Sequence, residues 1–105
     1  MTTYVITIPG TFLREPQDSA RSDLVRLLRP ADPHHTSLGR REELDLLTVN
    51  DDRTFSIRLE VTADDIRTAE RQAKETAAAA LHKAGFTNAQ APLGPATVTG
   101  IDNEA

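Results

Sequence analysis

The stretch that decides the fold is residues 54–85, TFSIRLEVTADDIRTAERQAKETAAAALHKAG, in which the spacing of the apolar residues changes once. In its first part apolar and polar residues alternate, as in a strand with one buried and one solvated face. The apolar residues of that strand are Phe55, Ile57, Leu59 and Val61. The polar residues between them, such as Arg58, would face the other way.

The second part of this stretch has the period of an amphipathic helix. Apolar residues, most of them alanines, recur every three or four positions from Ile66 to Ala84 and form one apolar stripe. We expect Thr62 to be the N-cap, with Asp64 and Asp65 in the first turn, where the helix dipole favours negative charge. Gly85 should end the helix, because glycine enters the left-handed conformation without strain.

The remaining elements flank this strand and helix. Residues 3–8 (TYVITI) and 96–101 (ATVTGI) are β-branched and favour strands, and residues 44–49 (LDLLTV) form a further apolar run. A helix is indicated by apolar residues spaced i, i+4, i+7 and i+8 from Ala20, and Pro30 should close it. Residues 50–53 (NDDR) are typical of a turn and predict an antiparallel hairpin.

The resulting order, βαββαβ, predicts an α+β domain over residues 1–105, the ferredoxin-like plait. It has a four-stranded antiparallel sheet with two helices on one face. The loop of residues 30–43 is polar and aperiodic, and a loop of this length is commonly functional or mobile. Residues 102–105 should fray. The expected core is Ile6, Ile8, Phe55, Ile57, Leu59, Val61 and Val98 against Leu24, Leu28, Ala73, Ala77 and Leu81.

Composition excludes several classes of function. The net charge is −4 and aromatic residues make up 4%, so the chain has neither the basic field nor the stacking platform of a nucleic-acid-binding plait. The absence of cysteine excludes disulfides and thiolate chemistry. The sequence predicts neither a signal peptide nor a membrane span, and we expect a cytoplasmic protein. The sequence indicates no cofactor.

The sheet face turned away from the helices is the best candidate site. It is polar, and Arg58 could hold an anionic or carbonyl group there while hydroxyls orient it, either in a pocket or between two sheets of a homodimer. The alternative is a solvated or dimer-buried face with ordinary cross-strand pairs. The candidate residues are Thr7, Ser56, Arg58, Glu60, Thr97 and Thr99.

Two adjacent histidines, His34 and His35, lie in the loop of residues 30–43. A metal site needs three or four converging ligands, and Asp32 is the one further ligand type nearby. We therefore expect two exposed loop histidines and no metal.

Three parts of the sequence, residues 8–12 (IPGTF), 55–61 (FSIRLEV) and 92–102 (PLGPATVTGID), resemble a family of small plait proteins from GC-rich bacteria. The resemblance covers most of the chain and implies the fold and a cytoplasmic setting, but no activity. More remotely, the element order is similar to that of the dimeric α+β-barrel proteins, which include cofactor-independent monooxygenases and polyketide cyclases, and to small regulatory plaits that bind amino acids. Element order does not determine function.

The favoured interpretation is a non-enzymatic domain that self-associates or binds a small molecule or a protein. The alternative is a cofactor-independent enzyme of the α+β-barrel type, acting on a small hydrophobic substrate, with Arg58 and the hydroxyls around it and the His34-His35 loop as a lid. A third possibility is that residues 30–43 dock a partner protein.

Overall fold

The computed structural model describes residues 2–15, 17–33 and 45–102, which form a four-stranded antiparallel sheet and two helices. In chain order the elements are β1 (Thr2–Thr11), α1 (Asp18–Leu28), β2 (Leu47–Val49), β3 (Thr54–Ala63), α2 (Ile66–Lys83) and β4 (Thr97–Asp102). The strands lie in the order β2-β3-β1-β4, and every neighbouring pair is antiparallel. The α+β class and the antiparallel sheet expected from the sequence are confirmed.

The two central strands, β1 and β3, pair along their whole length, from Thr2 opposite Ala63 to Thr11 opposite Thr54. The alternation of apolar and polar residues determines which face of each strand is buried. Ile6 and Ile57, on the inner face, are fully buried. This long central ladder therefore fixes which residues of β1 and β3 lie opposite one another on each face of the sheet.

The core lies between the sheet and the two helices. Leu24 of α1 and Ala73 of α2 belong to the same buried cluster as Ile6 of β1, so both helices cover one face of the sheet. All four aromatic rings are buried, and the ring of Phe12 stacks on that of Phe55 with 4.3 Å between their centres. Of the expected core, Val61 and Val98 are only partly buried.

The start of α2 differs from the expectation. Thr62 is not the N-cap, because β3 continues to Ala63 and Thr62 pairs with Thr3, with 2.9 Å between their hydroxyl oxygens. The N-cap is Asp65, whose carboxylate accepts a hydrogen bond from the backbone N–H of Thr68 at 2.7 Å. The expectation that Asp65 lies in the first turn was therefore wrong, and Asp64 precedes the helix.

The end of α2 agrees with the expectation. Gly85 has a φ of 100°, and its N–H donates to the carbonyl of His82. The N–H of Phe86 donates to the carbonyl of Leu81, which completes a Schellman motif. Neither this helix nor any other in the described ranges is both long enough and apolar enough to cross a membrane.

The remaining turns and the ends of the remaining helices and strands agree with the expectation only in part. Residues 50–53 form the expected hairpin turn, in which Arg53 takes a φ of 69°. The strand β2 is shorter than expected, since Asp45 and Leu46 precede it and residue 44 lies outside the described residues. Helix α1 is followed by a 3₁₀ turn, Arg29–Ala31. Asp102 pairs with Thr3 as the last residue of β4, while residues 34–44 and 103–105 lie outside the described ranges.

Candidate functional site

The six candidate residues lie on the sheet face that is turned away from the helices, called the open face below. Arg58 of β3 stands directly opposite Thr7 of β1, and Thr97 of β4 stands opposite Thr7 on its other side. Ser56 and Glu60 lie two residues before and after Arg58, on the same side of β3. Thr99 joins them through a contact of 2.9 Å between its hydroxyl oxygen and that of Thr7.

Arg58 is half-buried and is engaged by the neighbouring strand. Its Nη1 donates to the hydroxyl of Thr48 at 3.1 Å and to the carbonyl of Asp45 at 3.4 Å. Both acceptors belong to the chain around β2, so the guanidinium holds the short edge strand against β3. This is the ordinary cross-strand role that the sequence left open for Arg58.

Two of the four candidate hydroxyls, those of Thr7 and Thr99, make hydrogen bonds within the sheet. Thr7 and Thr99 share a hydrogen bond, and the Thr99 hydroxyl also donates to the carbonyl of Val5 at 3.4 Å. A β-bulge makes this possible, because Val5 pairs with Gly100 and Ile6 with Val98, which leaves Thr99 as the extra residue. Val5 itself has no exposed surface, so the centre of the open face is closely packed.

One end of the open face is concave. A cleft of about 470 Å³ lies there, and its lining includes Pro9, Thr11, Asn50, Ser56 and Leu93. Residues 92–94 form one wall, held by a hydrogen bond of 2.7 Å from the Gly94 N–H to the Pro9 carbonyl. Of the six candidate residues, the cleft takes in Ser56 and leaves out Arg58.

Sequence reasoning missed most of this cleft. The alternation that places Val5 and Thr7 on the open face continues to Pro9 and Thr11, so that part was accessible from the pattern. The register of residues 92–94 against Pro9 has no signature in the sequence.

Two carboxyl groups among the described residues have perturbed pKa values, and both perturbations have structural causes. The hydroxyl of Thr54, which donates to the Asp52 carboxylate at 2.6 Å, lowers the pKa of Asp52 below its ordinary value, and the backbone N–H of Thr54 adds to the effect. The backbone N–H of Thr68 lowers the pKa of Asp65 in the same way. These carboxylates stabilise a turn and a helix cap, and neither lines the cleft.

The histidines do not build a metal site in the described part of the chain. His34 and His35 lie outside the described residues, and His82 is exposed on α2. Among the described residues, no group of three histidine, aspartate or glutamate side chains is placed to hold a metal ion.

Comparison with known proteins identifies no relative. No family model, no curated protein and no solved structure matches the chain. The function is therefore inferred from the geometry of the open face.

Proposed function

We propose that this chain is a ferredoxin-like plait that acts without catalysis, by pairing with a second copy of itself through the open face. The plait is supported by the strand order, in which β3 lies between β1 and β2 and β1 lies between β3 and β4. Each βαβ unit then skips one strand, as in a split βαβ arrangement. The resemblance to small plait proteins of GC-rich bacteria supports a cytoplasmic setting.

The observation that carries the pairing is the self-complementary charge of the open face, on which neither helix packs. Arg58 and Glu60 carry opposite charges two residues apart on β3, one of the two central strands. A two-fold axis crossing β3 at Leu59 would set Arg58 of each copy opposite Glu60 of the other. Closed two-fold dimers require a patch that is complementary to itself in this way.

The size of the open face sets the strength of this pairing. With about 4.8 Å between strands and about 3.3 Å per residue, the four strands present roughly 460 Å² per copy. A dimer would therefore bury on the order of 900 to 1,200 Å² in total, which is the range of weak and transient complexes. We expect a dissociation constant in the micromolar to millimolar range.

Pairing explains the open face better than catalysis does. A catalytic group must reach a bound substrate in a cavity. Arg58 is bound to Thr48 and to the Asp45 carbonyl instead, and the hydroxyls of Thr7 and Thr99 are bound to each other. These contacts make a firm, pre-ordered surface, which suits association with little loss of side-chain entropy.

The test is sedimentation equilibrium over a range of protein concentrations. We expect Arg58→Glu to weaken dimerisation at least tenfold, because the substituted side chain of each copy would then face Glu60 of the other copy, which has the same charge. Adding the substitution Glu60→Arg should restore most of the affinity. Lys74→Glu, on the exposed side of α2, is the matched control and should leave the dissociation constant within about twofold.

Two results would overturn the proposal. One is equal weakening by Lys74→Glu and Arg58→Glu, which would indicate a general effect of net charge. The other is a monomer at every concentration. Circular dichroism of each variant verifies folding, and Thr97→Glu, an exposed position on the edge of the open face, replaces Arg58→Glu if that variant does not fold.

A further inference from the structure

A second cleft lies beside α1, on the helix side of the sheet. Its volume is about 360 Å³, and it is lined by Arg21, Ser22, Val25, Arg29 and Leu47. Arg21, Val25 and Arg29 are spaced i, i+4 and i+8, which aligns them along one side of the helix and its 3₁₀ extension. Leu47, the first residue of β2, closes the cleft from the sheet.

The two arginines of this cleft have no partner in the described part of the chain. Neither guanidinium makes a hydrogen bond or an ion pair with a described residue. Arg26, on the same helix but outside the cleft, pairs with Asp23 at 3.6 Å. The chain as a whole is acidic, with a net charge of −4, so this pair of cations is a local feature and not part of a generally basic surface.

The residue types suit a phosphate attached to an apolar group. At about 1.5 Å of rise per residue the Cα atoms of Arg21 and Arg29 are roughly 12 Å apart, so both side chains can reach a group lying over Val25. Guanidinium groups bind phosphate through paired hydrogen bonds, and the Ser22 hydroxyl offers a further donor. Val25 and Leu47 supply an apolar wall.

We propose that this cleft binds small organic phosphates, with the phosphate between Arg21 and Arg29 and the apolar body of the ligand against Val25 and Leu47. The volume supports a ligand larger than a bare anion, since small-molecule sites measure about 300 to 1,000 Å³. Leu47 points to the helix side of β2, whereas Thr48 and the open face lie on the other side. Binding here is therefore independent of the proposed pairing.

The experiment is a titration of the full chain, labelled with ¹⁵N, with phenyl phosphate and separately with inorganic phosphate at constant ionic strength. We expect amide shifts centred on Ser22, Val25 and Leu47. Phenyl phosphate should bind at least threefold more tightly than inorganic phosphate, because its ring can bury against the apolar wall.

Three substitutions that each remove one positive charge separate a site from general attraction. Arg21→Gln and Arg29→Gln should each weaken binding about three- to tenfold, because each removes a charged fork from an exposed site. Arg26→Gln should change the affinity less than about twofold. The spectrum of each variant shows whether it is folded.

Each of three outcomes would overturn the proposal. The first is the absence of saturable shifts with phenyl phosphate up to millimolar concentration. The second is equal weakening by all three substitutions, which would mean non-specific attraction. The third is equal affinity for inorganic and phenyl phosphate, which would leave the apolar wall without a role.

Discussion

Replacing Gly10 with alanine should destabilise the fold for a purely steric reason. It lies on the inner face of β1, opposite Phe55 of β3. A Cβ added at Gly10 would overlap the Cζ atom of the Phe55 ring, and the neighbouring ring carbons Cε2 and Cε1 would lie 2.7 and 2.8 Å from it. Unlike Gly85, Gly10 does not have a positive φ, so backbone strain adds nothing to the effect.

The Phe55 ring cannot retreat from the new methyl group. Its exposed fraction is 1%, it stacks on Phe12, and Phe12 in turn contacts Phe86 with 5.1 Å between the ring centres. Overpacking of this kind costs about 1 to 3 kcal/mol. The overlap with a ring that cannot move places Gly10→Ala in the upper half of this range, and alanine offsets about 0.4 to 1 kcal/mol by restricting the unfolded chain, so we expect the free energy of unfolding to fall by about 1 to 2.5 kcal/mol.

Urea unfolding followed by circular dichroism measures this change. In a Phe55→Leu background the same substitution should cost less, with a coupling energy of about 1 kcal/mol between the two sites. Gly94→Ala is the control, because its added Cβ meets the exposed Pro9 ring at 3.0 Å and that ring can shift. Unchanged stability of Gly10→Ala, or the same loss with and without Phe55→Leu, would refute the reasoning.

Two further predictions concern α2. Ala77 is fully buried against the sheet, so Ala77→Leu should lower the free energy of unfolding by about 1 to 3 kcal/mol, while Ala79→Leu on the exposed side should be nearly neutral; equal urea midpoints for the two variants would contradict this. The hydrogen bond from the Thr68 N–H lowers the pKa of Asp65 below its ordinary value of 3.8, so the ionised cap stabilises the fold above that pH and the contribution is lost as the pH falls through the lowered pKa. Asp65→Asn keeps an acceptor oxygen but cannot titrate, and its melting temperature should fall less steeply between roughly pH 6 and 2 than that of the unsubstituted chain. Parallel profiles would show that this cap is not the titrating group.

The sequence predicted the long periodic elements well, because β3 and α2 each contain enough repeats to define a buried side. It misplaced the junction between them. The period changes at Thr62, but the ladder between β1 and β3 extends to Ala63, and the cap is determined by which side chain reaches the N–H of Thr68. Tertiary pairing outweighed the local pattern at this point.

The open face was also accessible from alternation alone, whereas its details were not. The bulge at Thr99 and the cleft beside Pro9 depend on how β4 and residues 92–94 align with β1. These segments lie more than 80 residues from β1 along the chain, and no local spacing encodes their register. The partners of Arg58 around β2 follow from the same kind of long-range alignment.

The proposed self-association is tested most directly by native mass spectrometry of the freshly purified, unsubstituted chain at increasing concentration. The account predicts a species with twice the mass of the 11.5 kDa chain, whose share rises with concentration at the expense of the monomer. A mass of 11.5 kDa alone at every concentration up to about one millimolar, the upper end of the expected dissociation constants, would contradict it.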